Sequence, residues 1–369
     1  MKSDLAKSIP RLKRLLPNFA KMRIAVLGDV MLDRYLWGNA TRLSPEAAVP
    51  VVDLVSQSEC LGGAGNVAAN LAALGARVEL FGVLGGAEKS LKSATRQKSS
   101  DDEPGSALRS CLRAASIGDR GVLADPQRGT TVKTRVIARH QQLVRIDQER
   151  RAPLSAQTEE KLFRLLLRGL KNLDALVLSD YDKGLLSDSL AERALKACHQ
   201  QKIPVFVKPK TSRLYAYRGA RAIICNAKEA AFYVSRPLAD EKSVDEAGRA
   251  LLQHFGCAAV VITRGEKGMS IFEEGSPRHV QILATSFEVT YARLGQPGVE
   301  RGSTGRQVFD VTGAGDTVLS VLSLAVAAGA SVPDAALLAN TAAGVVVGKL
   351  GTATVSPAEL QAALNDINL

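Results

Sequence analysis

The feature that most constrains the fold is a regular alternation of short apolar runs with amphipathic segments of helical periodicity. Continuous apolar runs this short are typical of strands that are buried on both faces of a sheet. Strands that alternate with helices predict an α/β fold, with a mostly parallel sheet and helices on both of its faces. The apolar runs are residues 23–28, 76–84, 175–179, 204–207, 222–225 and 258–263.

Polar residues follow these runs, at the ends of the predicted strands. Asp29 and Asp33 follow the first run, and the segment 180–184 follows the third. Because ligands bind outside the carboxyl ends of the strands in open α/β sheets, these positions predict a binding site along one edge of the sheet. Asp33 is suited to accept hydrogen bonds from sugar hydroxyls, although a turn or a helix cap equally explains an isolated Asp.

The segment 310–317 reads DVTGAGDT and lies between a polar glycine-rich run and an apolar helical segment. Glycines at the start of a helix let backbone N–H groups converge, and the helix N-terminus adds partial positive charge. Gly313, Ala314 and Gly315 therefore predict an anion hole, and Asp316 places a carboxylate beside it. This combination favours phosphoryl transfer, with Asp316 accepting the proton of a hydroxyl. The structural alternative is an acidic residue that stabilises the first turn of a helix.

The segment 62–70 is a glycine-rich loop that opens another amphipathic helix. Its spacing of Gly63, Gly65 and Ala68 matches the dinucleotide-binding fingerprint, but no buried strand precedes it and no acidic residue ends a following strand at the required distance. We interpret the glycines as allowing close approach of the backbone to a polar ligand. Asn66 would then offer a donor and an acceptor to its hydroxyl groups.

The composition narrows the classes of partner. The net charge is +11, but the basic residues are dispersed and not interleaved with aromatic residues, so small phosphorylated molecules are expected as partners and nucleic acid is not. Five scattered cysteines without paired spacing predict reduced thiols in a cytoplasmic protein and argue against a zinc site. No apolar stretch follows the basic N-terminus, so neither a signal peptide nor a membrane span is predicted.

The chain is predicted to comprise a basic leader and one main domain. Residues 1–21 form the leader, which is flexible or forms one helix, and residues 22–369 form the domain. The polar stretch 89–103 is predicted to be mobile. Alternating β-branched residues predict a small half-exposed β lid over about residues 34–56 and 128–148.

The loop 62–68 (GGAGNVA) and the segment 310–317 together resemble the two signatures of the ribokinase-type, or PfkB, carbohydrate kinases. The chain contains neither a P-loop nor the motifs of protein kinases. Within the family, the segments GDVMLDRY, RLSPEAAVPVV, LSDYDKG and AAGVVVGKLGTATVSP resemble the kinase part of the bacterial heptose enzymes. The resemblance implies a ribokinase-like three-layer sandwich. It also implies ATP-dependent phosphorylation of D-glycero-β-D-manno-heptose 7-phosphate at O1, on the route to ADP-heptose and the lipopolysaccharide core.

The resemblance implies roles for individual residues. Asp316 corresponds to the catalytic base, and the glycine-rich turn before it corresponds to the hole for the transferring phosphoryl group. The positions that match sugar contacts are Asp33, Gly63 and Asn66, and those that match nucleotide contacts are Asn226, Glu229, Thr263, Arg264, Gly265 and Asn340.

Two metal sites are implied in the same way. Asn226 and Glu229 match an N-x-x-E motif that helps to organise Mg²⁺ through water, and Asp310 and Thr312 match contributors to a site for a monovalent cation such as K⁺. For Lys183, its position after a strand in a basic loop predicts a contact to the 7-phosphate of the sugar. A solvated lysine is the alternative.

Some features depart from the family pattern. Lys208 stands where Asp is common, and His140 stands where Asn is common. Residues 86–121 and 284–307 are longer than the pattern. Many relatives carry a second, nucleotidyltransferase half, but this chain contains no H-x-G-H motif, so we expect the kinase half alone.

Two alternatives to a heptose 7-phosphate kinase remain open at this point. One is a related kinase of another sugar or a nucleoside, and the other is a non-catalytic protein that binds a sugar phosphate or a nucleotide. A homodimer is also predicted, because the lid would present an apolar face. The residues predicted on that face are Val49, Val51, Val132 and Val136.

Overall fold

The structure is a computed structural model, and it describes residues 2–87, 101–138, 141–210, 215–277, 279–284, 310–349 and 351–367. His140 and nearly all of the predicted 284–307 extension lie outside these ranges, as do residues 89–100 of the predicted mobile stretch. None of the helices within the described ranges is both long enough and apolar enough to cross a bilayer.

The described residues form thirteen strands and ten α-helices. The strands are β1 (Arg23–Gly28), β2 (Val30–Leu43), β3 (Pro50–Gly63), β4 (Arg77–Gly85), β5 (Gly118–Asp125), β6 (Thr131–Ala138), β7 (Gln141–Gln148), β8 (Ala175–Ser179), β9 (Val205–Lys208), β10 (Ala222–Asn226), β11 (Ala259–Thr263), β12 (Met269–Glu273) and β13 (Val280–Ile282). The helices are α1 (Lys2–Leu15), α2 (Ala64–Ala73), α3 (Glu103–Ala114), α4 (Ala156–Gly169), α5 (Asp188–Gln200), α6 (Ala227–Tyr233), α7 (Glu241–Phe255), α8 (Ala314–Ala327), α9 (Val332–Val346) and α10 (Pro357–Asn365).

Nine strands form the main sheet, in the order β13-β12-β11-β10-β9-β8-β1-β4-β5. The pairs from β11 to β5 are all parallel, and β12 and β13 pair antiparallel at one edge. The carboxyl ends of seven parallel strands therefore meet along one edge of the sheet, as the alternation of apolar runs and helices predicted.

Two hydrophobic clusters cover the two faces of this sheet. Ile24 and Val26 of β1 belong to the cluster that contains α2, α8 and α9 side chains, whereas Ala25 and Leu27 belong to the one that contains α4, α5 and α7 side chains. Alternate residues of one buried strand thus point into different helical layers, which explains why its sequence is apolar throughout. The predicted three-layer α/β architecture with a mostly parallel sheet is confirmed.

The second sheet has four strands, in the order β3-β2-β6-β7. Only Asp29 separates β2 from β1, and β3 runs directly into α2, so the lid is joined to the main sheet at neighbouring points.

The predicted apolar face needs one correction. Val132 is buried in the main core, because β6 runs beside β2 where that strand leaves the main sheet. The exposed apolar side chains of the lid are Leu43, Val49, Leu54, Val55, Leu143, Val144 and Ile146.

Two stretches that looked peripheral in the sequence form part of the main fold. Within residues 86–121, α3 begins at an Asp102 cap that accepts the N–H of Gly105 at 2.9 Å, and β5 then forms the edge of the main sheet. The strand was missed because an edge strand carries polar residues. In the N-terminal segment, α1 is the single helix that was one of the two expectations, and Leu12, Leu16 and Phe19 are buried in the main core.

The burial of α1 leads to a prediction about stability. Leu12→Ala removes a side chain that is 1% exposed and should lower the free energy of unfolding by about 2–5 kcal/mol, because it leaves a cavity in the core. Leu167→Ala, at a position on α4 that is 40% exposed, is the matched control and should change it little. Urea unfolding followed by circular dichroism measures both, and equal effects would contradict the packing of α1 on the core.

Candidate active site

The predicted anion hole lies in the first turn of α8. Gly313 is its N-cap and has φ 83°, a left-handed conformation that glycine adopts without strain. A Cβ atom there would lie 2.9 Å from the Asn66 side-chain nitrogen, so this position also requires close approach of two segments. Ala314 and Gly315 follow as the first two helical residues, and the partial positive charge of the helix N-terminus therefore faces the region beside Asn66.

Asp316 lies in this first turn and is 5% exposed. Its Oδ2 accepts a hydrogen bond from the Asn66 amide at 2.9 Å, and its Oδ1 accepts one from Lys208 Nζ, also at 2.9 Å. The Tyr181 hydroxyl donates to Oδ1 as well. Donors from α2, from the end of β9 and from the loop after β8 thus converge on one carboxylate.

The two donors to Oδ1 hold their protons firmly. Burial lowers the pKa of Lys208, but the Asp316 carboxylate outweighs this effect and the pKa is raised overall. Burial and the same carboxylate raise the pKa of Tyr181 well above its ordinary value. The lysine is therefore charged and the phenol is neutral. The Asp316 carboxylate accepts a hydrogen bond from each of them.

Asn66 is oriented by the side chain of Asn70. Its side-chain oxygen and its backbone carbonyl both accept hydrogen bonds from the Asn70 amide, at 3.2 and 2.9 Å. The Thr317 hydroxyl donates to the Asn70 oxygen at 3.0 Å and so links α2 to α8. Because the Asn66 oxygen is engaged in this way, its amino group is the part that faces Asp316.

Asp33 lies on β2 and is buried together with Arg135 of β6. Its Oδ1 is 2.9 Å from the Arg135 guanidinium, which also lies 5.3 Å from the centre of the Tyr35 ring. Burial raises the pKa of Asp33, and the guanidinium opposes that shift without cancelling it. The glycine loop is adjacent, since a Cβ atom at Gly62 would lie 2.9 Å from the Asp33 carboxyl carbon.

Gly63 shows why this loop needs glycine. Its φ is 56°, and a Cβ atom there would lie 2.5 Å from the carbonyl oxygen of Asp29. The adjacent Ala64 N–H donates to that same oxygen at 2.9 Å. The glycine therefore lets the loop at the start of α2 lie directly against the end of β1, which brings it close to Asp33 and Asp316.

Asp29 fixes the loop that carries Tyr181 and Lys183. Its Oδ2 accepts the N–H groups of Tyr181 at 2.9 Å and Lys183 at 3.1 Å, and its Oδ1 accepts that of Leu185 at 3.2 Å. Burial raises the pKa of Asp29, and these N–H groups act in the opposite direction. The polar residue after the first apolar run thus orders the loop after the third.

Lys183 is paired within the described structure. Its Nζ lies 2.6 Å from Glu149, just after the last lid strand, and Glu149 also contacts Arg151 at 2.9 Å and Lys133 at 3.4 Å. The predicted phosphate contact therefore has to compete with a carboxylate. Lys133 is closer to Asp147, at 2.9 Å, but the three cations still outnumber these two carboxylates, and the excess of positive charge suits a dianion.

A cleft of ≈ 670 Å³ opens on the other side of Asp316. Gly313, Gly315 and Asp316 line one part of it. Five of the predicted nucleotide-contacting residues also line it: Asn226, Glu229, Thr263, Arg264 and Gly265. Asn226 and Glu229 form the capping box of α6, with hydrogen bonds of 2.8 and 2.9 Å, and Glu229 is also 3.1 Å from Lys210. The carboxyl ends of β10 and β11 thus supply one wall of the cleft.

Three predicted site residues lie outside this central group. Asn340 on α9 does not line the cleft and donates to the carbonyl oxygen of Leu283 at 3.1 Å. Asp310 accepts the N–H of Thr312 at 2.8 Å and that of Gly351 at 3.2 Å, which joins the turn before α8 to the turn after α9. Within the described ranges, no three His, Cys, Asp or Glu side chains cluster in a way that could hold a metal ion by themselves.

Two residues that complete the site, Tyr181 and Arg135, were not predicted from the sequence. Tyr181 was only part of the polar segment 180–184, and Arg135 was only part of a lid strand. The signal for Tyr181 was its place directly after a strand end. For Arg135 there was no local signal, because its partner Asp33 is more than 100 positions away and only the parallel pairing of β2 with β6 brings them together.

Comparisons with known proteins agree with this geometry. The family model for the pfkB family carbohydrate kinases matches residues 100–359, and the chain belongs to that family. The members of this family are described as carbohydrate kinases.

Particular relatives are found among curated proteins and solved structures. The bifunctional protein HldE of Geobacter metallireducens is 44% identical over 91% of this chain and 61% of its own length, and that of Desulfatibacillum aliphaticivorans is 41% identical over 94% and 64%. The chain thus spans less than two thirds of these relatives. Escherichia coli phosphofructokinase-2 in complex with potassium shares the fold, with a TM-score of 0.71 at 20% identity over 94% of this chain and 99% of that one. Arabidopsis thaliana ribokinase with ribose and ATP aligns with a TM-score of 0.65 at 18% identity over 93% and 98%.

The ion pairs of Glu149 generate a prediction about pH. Burial tends to raise the pKa of Glu149, but Lys183, Arg151 and Lys133 outweigh it and lower the pKa to about 2. Since the folded pKa lies below the unfolded one, the stabilisation is complete above the unfolded value and is lost as pH falls through the folded value. Glu149→Gln should therefore be less stable than the wild type at neutral pH, and the difference should shrink as the solution is acidified towards pH 2.

Urea unfolding at a series of pH values measures this difference. Glu160→Gln is the control, because Glu160 makes comparable ion pairs with Arg164 and Arg193 on an exposed surface and should show a smaller effect. A Glu149→Gln difference that grows on acidification would contradict the assignment.

Proposed function

We propose that the protein transfers the γ-phosphoryl group of ATP to O1 of D-glycero-β-D-manno-heptose 7-phosphate, giving the 1,7-bisphosphate and ADP. The observation that carries the proposal is the position of Asp316. On one side lies the cleft with the predicted nucleotide residues, and on the other lie Asn66 and the glycine loop beside Asp33. A carboxylate between an anion hole and a polar loop is where an acceptor hydroxyl has to be held for phosphoryl transfer.

The proposed reaction is an in-line displacement. Asp316 orients the O1 hydroxyl and takes its proton as the oxygen bonds to the γ-phosphorus. The bond from that phosphorus to the bridging oxygen breaks, and its electron pair leaves with ADP. The N–H groups at the start of α8, in the Gly313–Gly315 turn, stabilise the charge that develops on the transferring group.

Metal ions enter this proposal through the oxygen donors near the cleft. Glu229 and Asn226 fit a Mg²⁺ ion held mainly by water and nucleotide phosphates, because such sites take one or two protein carboxylates. When bound, Mg²⁺ would neutralise phosphate charge. Asp310, with Thr312, would contribute a carboxylate to a K⁺ site at the turn that it joins to Gly351.

The preference for a sugar phosphate rests on the positive cluster at the lid. Lys183, Lys133 and Arg151 surround Glu149, although Lys133 is also 2.9 Å from Asp147. Arg128 donates to the Lys183 carbonyl at 2.7 Å and adds a fourth cation nearby. A 7-phosphate dianion would replace Glu149 as the partner of Lys183.

We place the reaction in the cytoplasm, on the route to ADP-heptose and the lipopolysaccharide core, in line with five cysteines that are all free thiols.

The decisive experiment combines a substrate panel with Asp316→Asn. The wild type should release ADP with heptose 7-phosphate and much less with the unphosphorylated heptose, ribose or fructose 6-phosphate. Asp316→Asn should retain ATP binding by calorimetry and lose turnover on the order of 10²–10⁴-fold, since it removes the proton acceptor. Turnover with a different sugar would redirect the proposal to another acceptor, and binding of both ligands without ADP release would indicate a non-catalytic protein.

We also infer that the protein forms a homodimer through its lid. The exposed apolar side chains of the described residues are concentrated there, and Val55 and Ile146 are 69% and 50% exposed. Apolar side chains on an open sheet are stabilised when a second copy covers them.

Replacing Val55 and Ile146 together by lysine should convert a dimer into a monomer in sedimentation velocity. Phe232→Lys on α6, at a residue 65% exposed outside the lid, should leave the dimer intact. A monomeric wild type would contradict the inference.

A further inference from the structure

Lys208 occupies a central position that the proposed reaction does not yet use. It is the last residue of β9, and its Cα pairs in register with Ser179 of β8, so it stands at the carboxyl end of the main sheet. Its carbonyl accepts the N–H of Asp180 at 3.3 Å, which ties its backbone to the loop that carries Tyr181. The side chain is therefore aimed from a rigid strand end into the site and not from a mobile loop.

The ammonium group lies directly against the anion hole. A Cβ atom at Gly315 would be 2.8 Å from Lys208 Nζ, so the absence of a side chain at 315 is what leaves room for the lysine. The same nitrogen is 2.9 Å from Asp316 Oδ1 and 5.5 Å from the centre of the Tyr181 ring. An oxyanion bound by the first N–H groups of α8 would thus come within hydrogen-bonding distance of Nζ.

A phosphoryl oxygen would have to compete with nearby carboxylates for the Lys208 ammonium group. Its nearest carboxylate is Asp316, and Glu229 lies across the same cleft. A lysine side chain that is 18% exposed and an aspartate that is 6% exposed form a largely desolvated pair. A phosphoryl oxygen that arrives at the helix terminus brings new negative charge to the same ammonium, and a flexible lysine can turn between two partners that are a few ångströms apart.

We propose that Lys208 is the cationic ligand of the transferring phosphoryl group and that it exchanges Asp316 for this group when the triphosphate binds. The inference rests on the proposed function, because it assumes that the nucleotide runs along the cleft with its terminal phosphate at α8. The exchange makes and breaks no covalent bond. Its consequence is that Asp316 Oδ1 gains a free lone pair for the acceptor hydroxyl only when a phosphoryl group is in place.

The test compares ligands that differ only in the terminal phosphate. ADP and a non-hydrolysable ATP analogue are titrated calorimetrically into the protein, with Mg²⁺ and without sugar. Lys208→Met should weaken binding of the analogue by about tenfold or more, the size expected for a lost charge-assisted hydrogen bond, and change ADP binding by less than about twofold. Lys208→Arg should restore most of the preference for the analogue, because it keeps the charge.

Two further variants separate a specific role from a general one. Lys196→Met on α5 removes the same charge from an exposed position outside the cleft and should leave both affinities unchanged. Asp316→Asn should tighten binding of the analogue relative to ADP, because it removes the competing carboxylate. Equal losses for both ligands in Lys208→Met, or no loss in a variant whose thermal unfolding is unchanged, would overturn the inference.

The outcomes for Lys208 and for the reaction remain distinguishable. Wild-type turnover on the sugar panel tests the proposed acceptor, whereas the titrations contain no sugar. A protein that phosphorylates heptose 7-phosphate but shows no selective loss in Lys208→Met keeps the function and loses the role of Lys208. A protein that phosphorylates none of the sugars but shows the selective loss keeps Lys208 as a phosphate ligand and loses the proposed acceptor.

Discussion

The arrangement of the site depends on one buried carboxylate. Asp316 accepts hydrogen bonds from Asn66, Lys208 and Tyr181, which come from three different elements of the fold. Each of these donors is held by contacts of its own: Asn66 by Asn70, Tyr181 through the N–H that Asp29 accepts, and Lys208 by its place in β9. Because a buried carboxylate without partners is strongly unfavourable, the three elements stabilise Asp316 and are in turn held together by it.

The same carboxylate explains why two glycine-rich segments far apart in the sequence meet here. Gly313 approaches the Asn66 side chain, and Gly315 approaches Lys208. At both positions a larger residue would displace a donor of Asp316. The glycines of the second signature therefore do more than expose the N–H groups of α8. They also create the space into which the two donors reach.

The sequence predicted the parts of the fold that repeat and missed those that depend on pairing. The apolar runs identified the parallel strands, because a buried strand has a local apolar pattern, and the geometry of parallel sheets placed a site at their carboxyl ends. The cleft residues Asn226, Glu229, Thr263, Arg264 and Gly265 were predicted from the resemblance to the kinase family. β5 was missed because its polar residues suit an edge strand. The pairing of Asp33 with Arg135, and of Lys183 with Glu149, could not be predicted, since each joins residues that only the folded lid brings together.

The way in which the lid joins the main sheet has a mechanical consequence. The chain enters the lid just after Asp29 and returns at Gly63, and the N–H of Ala64 donates to the Asp29 carbonyl at 2.9 Å, so entry and exit are bonded to each other. The Asp29 carboxylate also holds the loop with Tyr181 and Lys183. Asp29 therefore connects three segments: the end of β1, the start of α2 and the loop after β8. A change in the backbone at Asp29 would therefore disturb the lid, the glycine loop and Tyr181 together, and through Tyr181 it would reach Asp316.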